Sequence, residues 1–569
     1  MKEALSIETE RMDDIPLLLT HMQRMQLAAL LDKHFPAHGL RKGVSVGELS
    51  VVWLAHILSQ ADHRMNRVQE WGSRRLETMR GCGLEALTPQ DLTDDRLADV
   101  LHLLSDDGHW RAFEHDLMGH LLRVYAWEAR CVRIDTTTAS SYAEVNAEGL
   151  LQLGHSKDHR PDLPQLKLAL ASLDPFGLPL ASEVLSGEQA DDPVYVPLIG
   201  RVRSGLQQSG LLYVGDCKMA AMQTRASIQA HGDYYLCPLS ALHVSPDQLV
   251  QEVEAQRARN APLIQVVRVD EQGKSTCIAQ GYESMQSVTV RLNEQVLSWQ
   301  ERRLLIQSTA ATQAAQASLQ ERLRKAERLL ADLTLRRQGK PRLTDRAQVE
   351  EAIEAVLKEG RVEGLVHVHI QEAGREHPVR AYRGRLSPAR REWGFQLAVS
   401  REETAIARAM SQLGWRVYAT NHHSGHLGLE QAVEAYRDEY LIERNFSRLK
   451  GHPLSLAPLY VQRDDHRVGL VRLLTIALRV LTVLEGVVQK QLQAQQEELT
   501  GLFVGNPKRR TAHPTAERLL ETFRDITLTI VSAPGFAQRH VTPLSALQQQ
   551  ILARCGFSAA VYDRFADDS

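Results

Sequence analysis

The sequence is short of several features that would assign it quickly to a class. Its 569 residues include only six cysteines, and these form no C-x-x-C pair. That spacing argues against a zinc knuckle and against a disulfide framework, and it favours a reducing cytoplasm. The 67 basic and 70 acidic residues nearly cancel, so the net charge does not indicate a polyanion-binding protein. Any contact with an anionic partner must come from local basic patches.

Long apolar runs and several common catalytic motifs are also missing. No stretch approaches the roughly 18 uninterrupted apolar residues that a membrane helix needs, and "MKEALSIETERMDDIPLLL" lacks the apolar region of a signal peptide. No G-x-G-x-x-G, P-loop or G-x-S-x-G sequence occurs. We therefore expect a cytoplasmic protein with no membrane partner and no nucleotide cofactor.

The hydrophobic periodicity changes along the chain and predicts several regions. Apolar residues at three- and four-residue intervals predict helices from 10 to about 128. Short β-type runs follow, two of them joined by a predicted hairpin at "DPFG", and a helical segment precedes the run that ends at Asp216. Three antiparallel strands, a crossover helix and a further strand predict a mixed α/β core.

Helical and β-like stretches then alternate from about 240 to 400. This alternation indicates an inserted module, because unstructured loops of such length are rare inside compact domains. Near "GWRVYATNH" the strand-then-helix pattern resumes, and it runs into an amphipathic helix predicted from about Leu429 to Lys450. The predicted boundaries are a helical N-terminal domain over 1–128, a core over 129–240 and 401–500, an insertion over 241–400 and a helical C-terminal region over 501–569.

Two apolar runs each close on an acid. Asp135 follows "CVRI" and Asp216 follows "LLYVG". A carboxylate buried there without a partner would cost several kcal/mol, so we expect something to compensate it. A third acid, Glu443, lies beside a predicted buried helical stripe, and a spacing of seven residues would put Tyr436, Glu443 and Lys450 on almost the same helix face.

Three carboxylates of this kind suit Mg²⁺ or Mn²⁺, which prefer oxygen ligands, waters and substrate phosphates. Two such ions would activate an attacking oxygen and stabilise the leaving one, and they would compensate Asp135. From their spacing alone, the three acids could equally have structural roles. Strand-end aspartates are common as turn formers or helix caps, and a helix glutamate beside arginines is commonly a solvated ion pair.

With their flanking residues, these acids resemble those of a DDE transposase from a bacterial insertion sequence, in the group with a Y-x2-R-x3-E-x6-K signature. "RIDTTTASSY", "YVGDCKM" and "YRDEYLIERNFSRLK" match the three acidic positions in order. "GHSKDHRPDLPQLKLAL" and, upstream of it, "LTDDRLADVLHLL" resemble further blocks of one branch of that group. The resemblance covers nearly the whole chain.

The resemblance implies a ribonuclease-H-like mixed-sheet catalytic core that an α+β insertion domain interrupts, with an N-terminal helical domain and a helical C-terminal tail. It implies Asp135, Asp216 and Glu443 as catalytic and metal-binding acids for two Mg²⁺ or Mn²⁺ ions. The implied reaction cleaves DNA at the ends of the element and transfers the 3′-hydroxyl into target DNA. Terminal inverted repeats and target DNA are the implied partners of a homodimer, with residues 1–128 binding DNA ends or multimerising.

Candidate DNA contacts lie in three places, and each could equally be a solubilising surface charge. Tyr436 and Lys450 match signature positions, and Lys157 and Arg160 lie in the "GHSKDHR" block. In "RAYRGRLSPARREW" arginines alternate with aromatic rings that could stack on bases. The candidates in that stretch are Arg380, Arg383, Arg385, Arg390, Arg391 and Trp393.

One signature position departs from the pattern, because Glu439 stands where the group has arginine. An acid one turn before Glu443 would repel DNA. Two alternatives therefore stay open beside an active transposase. One is a ribonuclease-H-like nuclease that does not transfer strands, and the other is an inactive or domesticated DNA-binding protein.

Overall fold

The computed structural model describes residues 5–37, 39, 42–145, 148–269, 273–292, 294–335, 343, 345–377 and 390–567. They form a mixed α/β protein with two compact units. The first unit comprises Met1–Cys237, Val288–Trp299 and Glu434–Ser569, and the second comprises Pro238–Ser287 and Gln300–Val433. The domain boundaries proposed from the sequence remain predictions.

The first unit begins with a strand and a group of helices around an apolar core. Ser45 and Glu48 show how local sequence starts one of these helices: the Ser45 hydroxyl accepts from the Glu48 N–H at 3.0 Å, and the Glu48 carboxylate accepts from the Ser45 N–H at 2.9 Å. The elements are β1 (Ser6–Arg11), α1 (Ile15–Arg24), α2 (Leu27–His34), α3 (Val46–Gln60), α4 (Met65–Ser73), α5 (Leu76–Gly81), α6 (Asp94–Leu104) and α7 (Asp107–Tyr125), with a 3₁₀ turn at Pro89–Leu92.

A group of five neighbouring strands of mixed direction follows these helices along the chain. Its strands are β2 (Cys131–Ser140), β3 (Gln165–Leu173), β4 (Leu178–Ser186), β5 (Leu212–Gly215) and β6 (Tyr234–Leu239). The order is β4-β3-β2-β5-β6, with β2, β3 and β4 antiparallel in turn and β5 and β6 parallel to β2. Helix α8 (Tyr195–Leu206) leads into β5, and α9 (Met222–Ala230) leads into β6. The "DPFG" hairpin and the crossover helix are confirmed.

The central strand β2 is longer than the sequence interpretation allowed. Asp135 was expected at its end, but β2 continues to Ser140 and pairs with β3 from Asp135↔Leu170 to Ser140↔Gln165. Three threonines follow Asp135, and β-branched residues fit a pleated, buried surface. The expectation of a strand-terminal Asp135 was therefore wrong.

The second unit combines two β-hairpins with helices. Its elements are α10 (Pro246–Ala258), β7 (Ile264–Val269), the larger part of β8 (Ser275–Leu292) and of β9 (Gln295–Ser308), α11 (Thr309–Leu333), α12 (Arg346–Gly360), β10 (Val366–His377), β11 (Arg390–Arg401), α13 (Glu403–Ser411) and β12 (Trp415–Thr420). The ends of β8 and β9 within Val288–Trp299 belong to the first unit. Strands β12, β9, β8 and β7 lie side by side, and β10 pairs with β11. One apolar core gathers Leu323, Leu330, Val349 and Ile406. The predicted alternation of helices and strands is confirmed.

The remaining elements complete the chain. They are α14 (Leu429–Arg437), α15 (Tyr440–Lys450), α16 (Asp464–Gln495), β13 (Leu499–Thr500), β14 (Arg510–Thr511), α17 (Ala516–Glu521), β15 (Thr527–Ala533), β16 (Phe536–Val541), α18 (Ala546–Arg554) and α19 (Ala560–Asp563). The long helix α16 buries Arg472, Arg479 and Glu485 along with its apolar residues. In the part of the chain that the structure describes, no helix has the length and apolar character to cross a membrane.

Two expectations for this last part were wrong. The C-terminal region is not wholly helical, because β15 pairs with β16 on one edge and with the N-terminal strand β1 on the other. The helix expected over Leu429–Lys450 is two helices, α14 and α15. At the break the backbone hydrogen bonds join residues three apart in sequence and not four, as in the bond from the Glu439 N–H to the Tyr436 carbonyl at 3.2 Å. Tyr436 and Glu443 therefore do not share one helix.

Candidate active site

The register of two parallel strands brings the first two acids to the same level of the sheet. The last paired residues of β2 and β5 are Ile134 and Gly215, and Asp135 and Asp216 come next on their respective chains. At this point β5 ends and its chain turns away, while β2 continues. Asp135 thus lies at the place where the sheet opens beside β5, which is where parallel sheets characteristically bind ligands.

A small crevice of about 10 Å³ lies at this opening. That volume is about what one water molecule needs. The sheet side of the crevice is formed by both aspartates, and the helical side by residues of α14, α15 and the break between them. The lining residues are Arg133, Ile134, Asp135, Val214, Gly215, Asp216, Tyr436, Glu439 and Ile442.

Asp135 is withdrawn from solvent and held by two donors. The exposed fraction of its side chain is 21%. Its Oδ1 accepts from the Lys157 ammonium at 3.1 Å and from the Thr136 N–H at 2.7 Å. Burial raises the pKa of Asp135, and the neighbouring charge of Asp216 adds to that increase, while Lys157 and the Thr136 N–H oppose it. The expected compensation of Asp135 is a lysine in this structure.

Asp216 is held by a buried phenol, Tyr195, which no sequence motif had indicated. The Tyr195 hydroxyl donates to Asp216 Oδ1 at 2.7 Å, and the Lys218 N–H donates to the same oxygen at 2.9 Å. Tyr195 is buried, and burial raises its pKa well above the ordinary value, with the charge of Asp216 adding to the effect. The phenol therefore stays protonated and acts as a hydrogen-bond donor.

Glu439 lines the crevice, and Glu443 does not. Burial raises the pKa of Glu439, and the charges of Asp135, Glu443 and Asp216 each raise it further. Glu443 lies one turn further along α15 and is exposed. Glu439 thus lies within electrostatic range of all three acids that the sequence singled out, and it adds a fourth carboxylate to the site.

The "GHSKDHR" block packs against β2 through its own polar groups. The Lys157 N–H donates to Thr138 Oγ1 at 3.1 Å, and Ser156 Oγ accepts from the Asp158 and Arg160 N–H groups, each at 3.2 Å. From the other side, Gln165 Nε2 donates to the His155 carbonyl at 3.0 Å. These contacts explain why a polar segment lies so close to Asp135.

The other cationic candidates near this block are also paired with acids. Lys450 Nζ lies 2.5 Å from Asp158 Oδ1, next in sequence to Lys157. Arg160 is exposed and forms a two-pronged ion pair with Asp162 at 2.9 and 2.8 Å. Lys450 of α15 thus contacts the short segment that carries Lys157, whereas Arg160 pairs with Asp162.

The buried side of α15 is fixed by contacts that the sequence did not reveal. Asn445 Nδ2 donates to the Gly177 carbonyl at 2.7 Å and to Ser172 Oγ at 3.1 Å. Arg448 pairs with Glu485 of α16 at 2.5 Å and with Glu517 of α17 at 2.7 Å. These polar anchors set the position of the helix that carries Glu443 and Lys450. Helical periodicity placed residues on the buried face, but it could not identify their partners.

The candidates in "RAYRGRLSPARREW" are not tested by the structure. Arg380, Arg383 and Arg385 lie outside the described residues. Arg390, Arg391 and Trp393 begin β11, where Trp393 pairs with Gly374 of β10, but their side chains are outside the described part. Their role in binding DNA stays a prediction.

The acids are not arranged as a finished metal site. Among the residues that the structure describes, no three His, Cys, Asp or Glu side chains are grouped so that they could hold a metal ion. The donor chemistry nonetheless suits a hard cation, because carboxylate, hydroxyl and carbonyl oxygens surround the Lys157 ammonium, a cation already bound to Asp135.

Comparison with known proteins adds little to this geometry. No family model matches the chain, and no curated protein matches it. Among solved structures, the cryo-EM structure of the piggyBac transposase synaptic complex with hairpin DNA aligns at 9% sequence identity with a TM-score of 0.23. The alignment covers 47% of this chain and 55% of that one, so the chain spans about half of that transposase's length. A similarity at this level supports no assignment of fold or function.

Proposed function

We propose that this chain is a DDE transposase with a ribonuclease-H-like core, which cleaves DNA at insertion-sequence ends and transfers the 3′-hydroxyl into target DNA. The observation that carries the proposal is the crevice in which Asp135 of β2 and Asp216, which follows the parallel strand β5, face the α14–α15 segment. The sheet order β4-β3-β2-β5-β6, with three antiparallel strands followed by two parallel to β2, supports such a core.

The acids suit the metal ions that this reaction uses. Asp135, Asp216 and Glu443 would hold Mg²⁺ or Mn²⁺, and Glu439 offers a fourth carboxylate beside them. Such ions, when bound, activate the attacking oxygen and stabilise the leaving oxygen of the phosphodiester. The chemistry of these residues suits such ions, because the donors are oxygens and a cation already lies among them. The present spacing is not that of a loaded site.

The chain's own residues supply positioning and charge. Tyr195 holds Asp216 through its hydroxyl, so one carboxylate oxygen is fixed in direction. Asn445 and Arg448 fix α15 against the sheet and α16, so the helix that carries Glu443 and Lys450 has a rigid support. Lys157 and Lys450 bring ammonium groups to the rim, where the phosphates of DNA would lie. No side chain has to act as a nucleophile, because the reaction relies on orientation and charge stabilisation.

Two other functions stay open, and one observation favours them. Glu439 brings a negative charge to the place where DNA must approach, and the acids are not yet grouped around an ion. An inactive DNA-binding protein would bind DNA without metal and would cleave none. A nuclease with the same core would cleave but would form no strand-transfer product.

The experiment incubates purified protein with labelled DNA carrying the inverted repeats that flank its gene, in Mg²⁺ or in Mn²⁺. We expect cleavage at the repeat tip, followed by joining to a target plasmid. The variants Asp135→Asn and Glu443→Gln should both abolish cleavage, because each removes a charged oxygen ligand while it keeps the shape of the side chain. Their DNA binding, measured by gel shift, should persist.

Different results would select the other functions. Cleavage without joined product would identify a nuclease. Binding without cleavage in either metal would identify an inactive DNA-binding protein, and absence of binding would remove the transposase proposal. If cleavage persisted in Glu443→Gln but was lost in Glu439→Gln, the third catalytic acid would be Glu439 and not Glu443.

A further inference from the structure

The ammonium of Lys157 has the surroundings of a bound metal ion. Its Nζ donates to Asp135 Oδ1 at 3.1 Å, to the Thr136 carbonyl at 2.5 Å and to Thr136 Oγ1 at 2.8 Å. All three partners are oxygens, and one is a carboxylate of the candidate active site. The three donors of an ammonium group are thereby all used.

This contact is built into the fold and is not a chance surface pair. The exposed fractions of the Lys157 and Asp135 side chains are 30% and 21%. The segment that delivers Lys157 is fixed by its own N–H bond to Thr138 and by the turn that Ser156 closes. A half-buried carboxylate without this partner would carry a substantial desolvation cost.

We propose that the Lys157 ammonium occupies the cation position beside Asp135 until a divalent ion replaces it, so that lysine and ion exclude each other. The inference rests on the proposed function and names the group that controls loading of its site. Both cations need the charge of the same Asp135 carboxylate, and a hard divalent ion also prefers the oxygen donors that surround the ammonium. The arrangement compensates Asp135 in the metal-free protein and leaves the lysine free to meet a phosphate once the ion is bound.

The first test measures the reactivity of Lys157 in the wild-type protein. Acetylation by an N-hydroxysuccinimide ester, followed by mass spectrometry of the peptides, reports how accessible each amine is. We expect Lys157 to react slowly in EDTA and to react faster as Mg²⁺ is added, with saturation. Lys33 is the internal reference, because it pairs with Asp116 while 62% of its side chain is exposed, and its rate should not change.

The second test measures affinity for Mn²⁺ by titration calorimetry. Lys157→Met removes the competing charge but keeps an unbranched side chain, and it should bind Mn²⁺ about tenfold more tightly or better, because a charge-assisted hydrogen bond no longer has to be broken. Lys157→Arg keeps the charge and should bind no more tightly than the wild type. Lys33→Met removes a lysine–aspartate pair elsewhere in the same unit, and its affinity should equal that of the wild type.

The outcomes separate this inference from the proposed function. Saturable Mn²⁺ binding and DNA cleavage with no change in Lys157 reactivity would overturn the exclusion and leave the transposase proposal intact. Equal Mn²⁺ affinities for wild type and Lys157→Met would do the same. If neither protein bound Mn²⁺ at millimolar concentration, both the metal site and the exclusion would be wrong.

Discussion

Glu114 and Asp135 are both carboxylates withdrawn from water, but the protein surrounds them differently. Glu114, with 2% of its side chain exposed, receives donors from Arg201, Arg479 and both the N–H and hydroxyl of Ser182. Asp135 has one lysine and one backbone N–H, and its pKa is raised by burial. The first carboxylate has fixed partners on several elements, whereas the second has one cation that an ion can replace.

The difference teaches how to separate structural charges from functional ones in this fold. Arg479 is itself held by the Pro179 carbonyl at 3.0 Å and by Thr475 Oγ1 at 3.2 Å, so the Glu114 cluster has no free direction in which to bind a ligand. The crevice acids are close to one another and have few donors. Burial and mutual repulsion raise the pKa of Asp135 and Glu439, so a bound cation would stabilise their charged forms, which is a reason to expect function there.

Breaking the Glu114 cluster should have the largest effect on stability. Glu114→Gln leaves Arg479 without a counter-charge in the interior, whereas Arg201 keeps Glu183, and we expect the variant to lower the free energy of unfolding by about 3–5 kcal/mol. Urea denaturation followed by circular dichroism measures this change. The matched control is Glu128→Gln, because Glu128 pairs with Arg130 on the surface, with exposed fractions of 74% and 83%.

The surface control should change stability by less than about 0.5 kcal/mol. A loss below about 1 kcal/mol for Glu114→Gln would show that the buried arginines find other partners. The claim that Glu114 has fixed partners, in contrast to the replaceable partner of Asp135, would then be wrong.

Asp14 is a buried carboxylate outside the crevice, and it allows the cost of burial alone to be measured. It is buried in the N-terminal part, its Oδ1 has no hydrogen-bond partner among the described residues, and burial raises its pKa to about 6 from 3.8. At pH values between these two pKa values, Asp14 is therefore protonated in the folded protein and ionised in the unfolded chain. Stability must fall as pH rises from about 4 to 6, and the cost stays at higher pH.

Asp14→Asn should remove this cost. The pKa difference of about 2 corresponds to at most about 3 kcal/mol, so the variant should be more stable than the wild type by up to that amount at pH 7.5. The two proteins should converge as the pH approaches 4. Urea denaturation at pH 7.5, 6 and 4.5 measures the trend. Equal stability at pH 7.5 would mean that Asp14 finds compensation that the contacts do not explain.

Local patterns predicted much of the fold. Alternating apolar residues and the "DPFG" turn were enough to indicate β3 and β4, because a hairpin needs only neighbouring residues. The helices before residue 128 were indicated for the same reason. The pairing of β1 with β15 was not predicted, because Ser6 meets Ser532 and no local pattern carries information over such a separation.

The candidate site was predicted in part for a similar reason. Asp135 and Asp216 follow apolar runs, so their positions beside the sheet could be inferred, and the structure brings both to one crevice. Tyr195 and the contact from Lys157 could not be inferred, since each depends on how separate elements meet. Glu439, at the helix break before Tyr440, lines the crevice, whereas the sequence had indicated Glu443 as the third acid and Glu439 only as a departure from the signature.

Glu439→Gln should have the smallest effect on stability of these variants. It tests whether the acids of the crevice repel one another. Glu439 and Glu443 are like charges four residues apart, and such pairs destabilise a helix by about 0.2–0.5 kcal/mol. Burial and the neighbouring acids raise the pKa of Glu439, so the folded state disfavours its charge. The variant should therefore gain stability of that order at pH 7.5, and the gain should disappear as pH falls towards the ordinary glutamate pKa.

Divalent ions supply the means to sharpen this last prediction. If Glu439 takes part in holding a cation, Mg²⁺ should stabilise the wild type more than Glu439→Gln, so the order of the two melting temperatures in EDTA should reverse as the ion is added. If Glu439 is only a charge that DNA must tolerate, Mg²⁺ should raise both melting temperatures equally. A Glu439→Gln variant that is less stable than the wild type in EDTA would contradict the repulsion between Glu439 and the neighbouring acids. Such a result would show that the Glu439 charge already has a favourable partner in the folded protein.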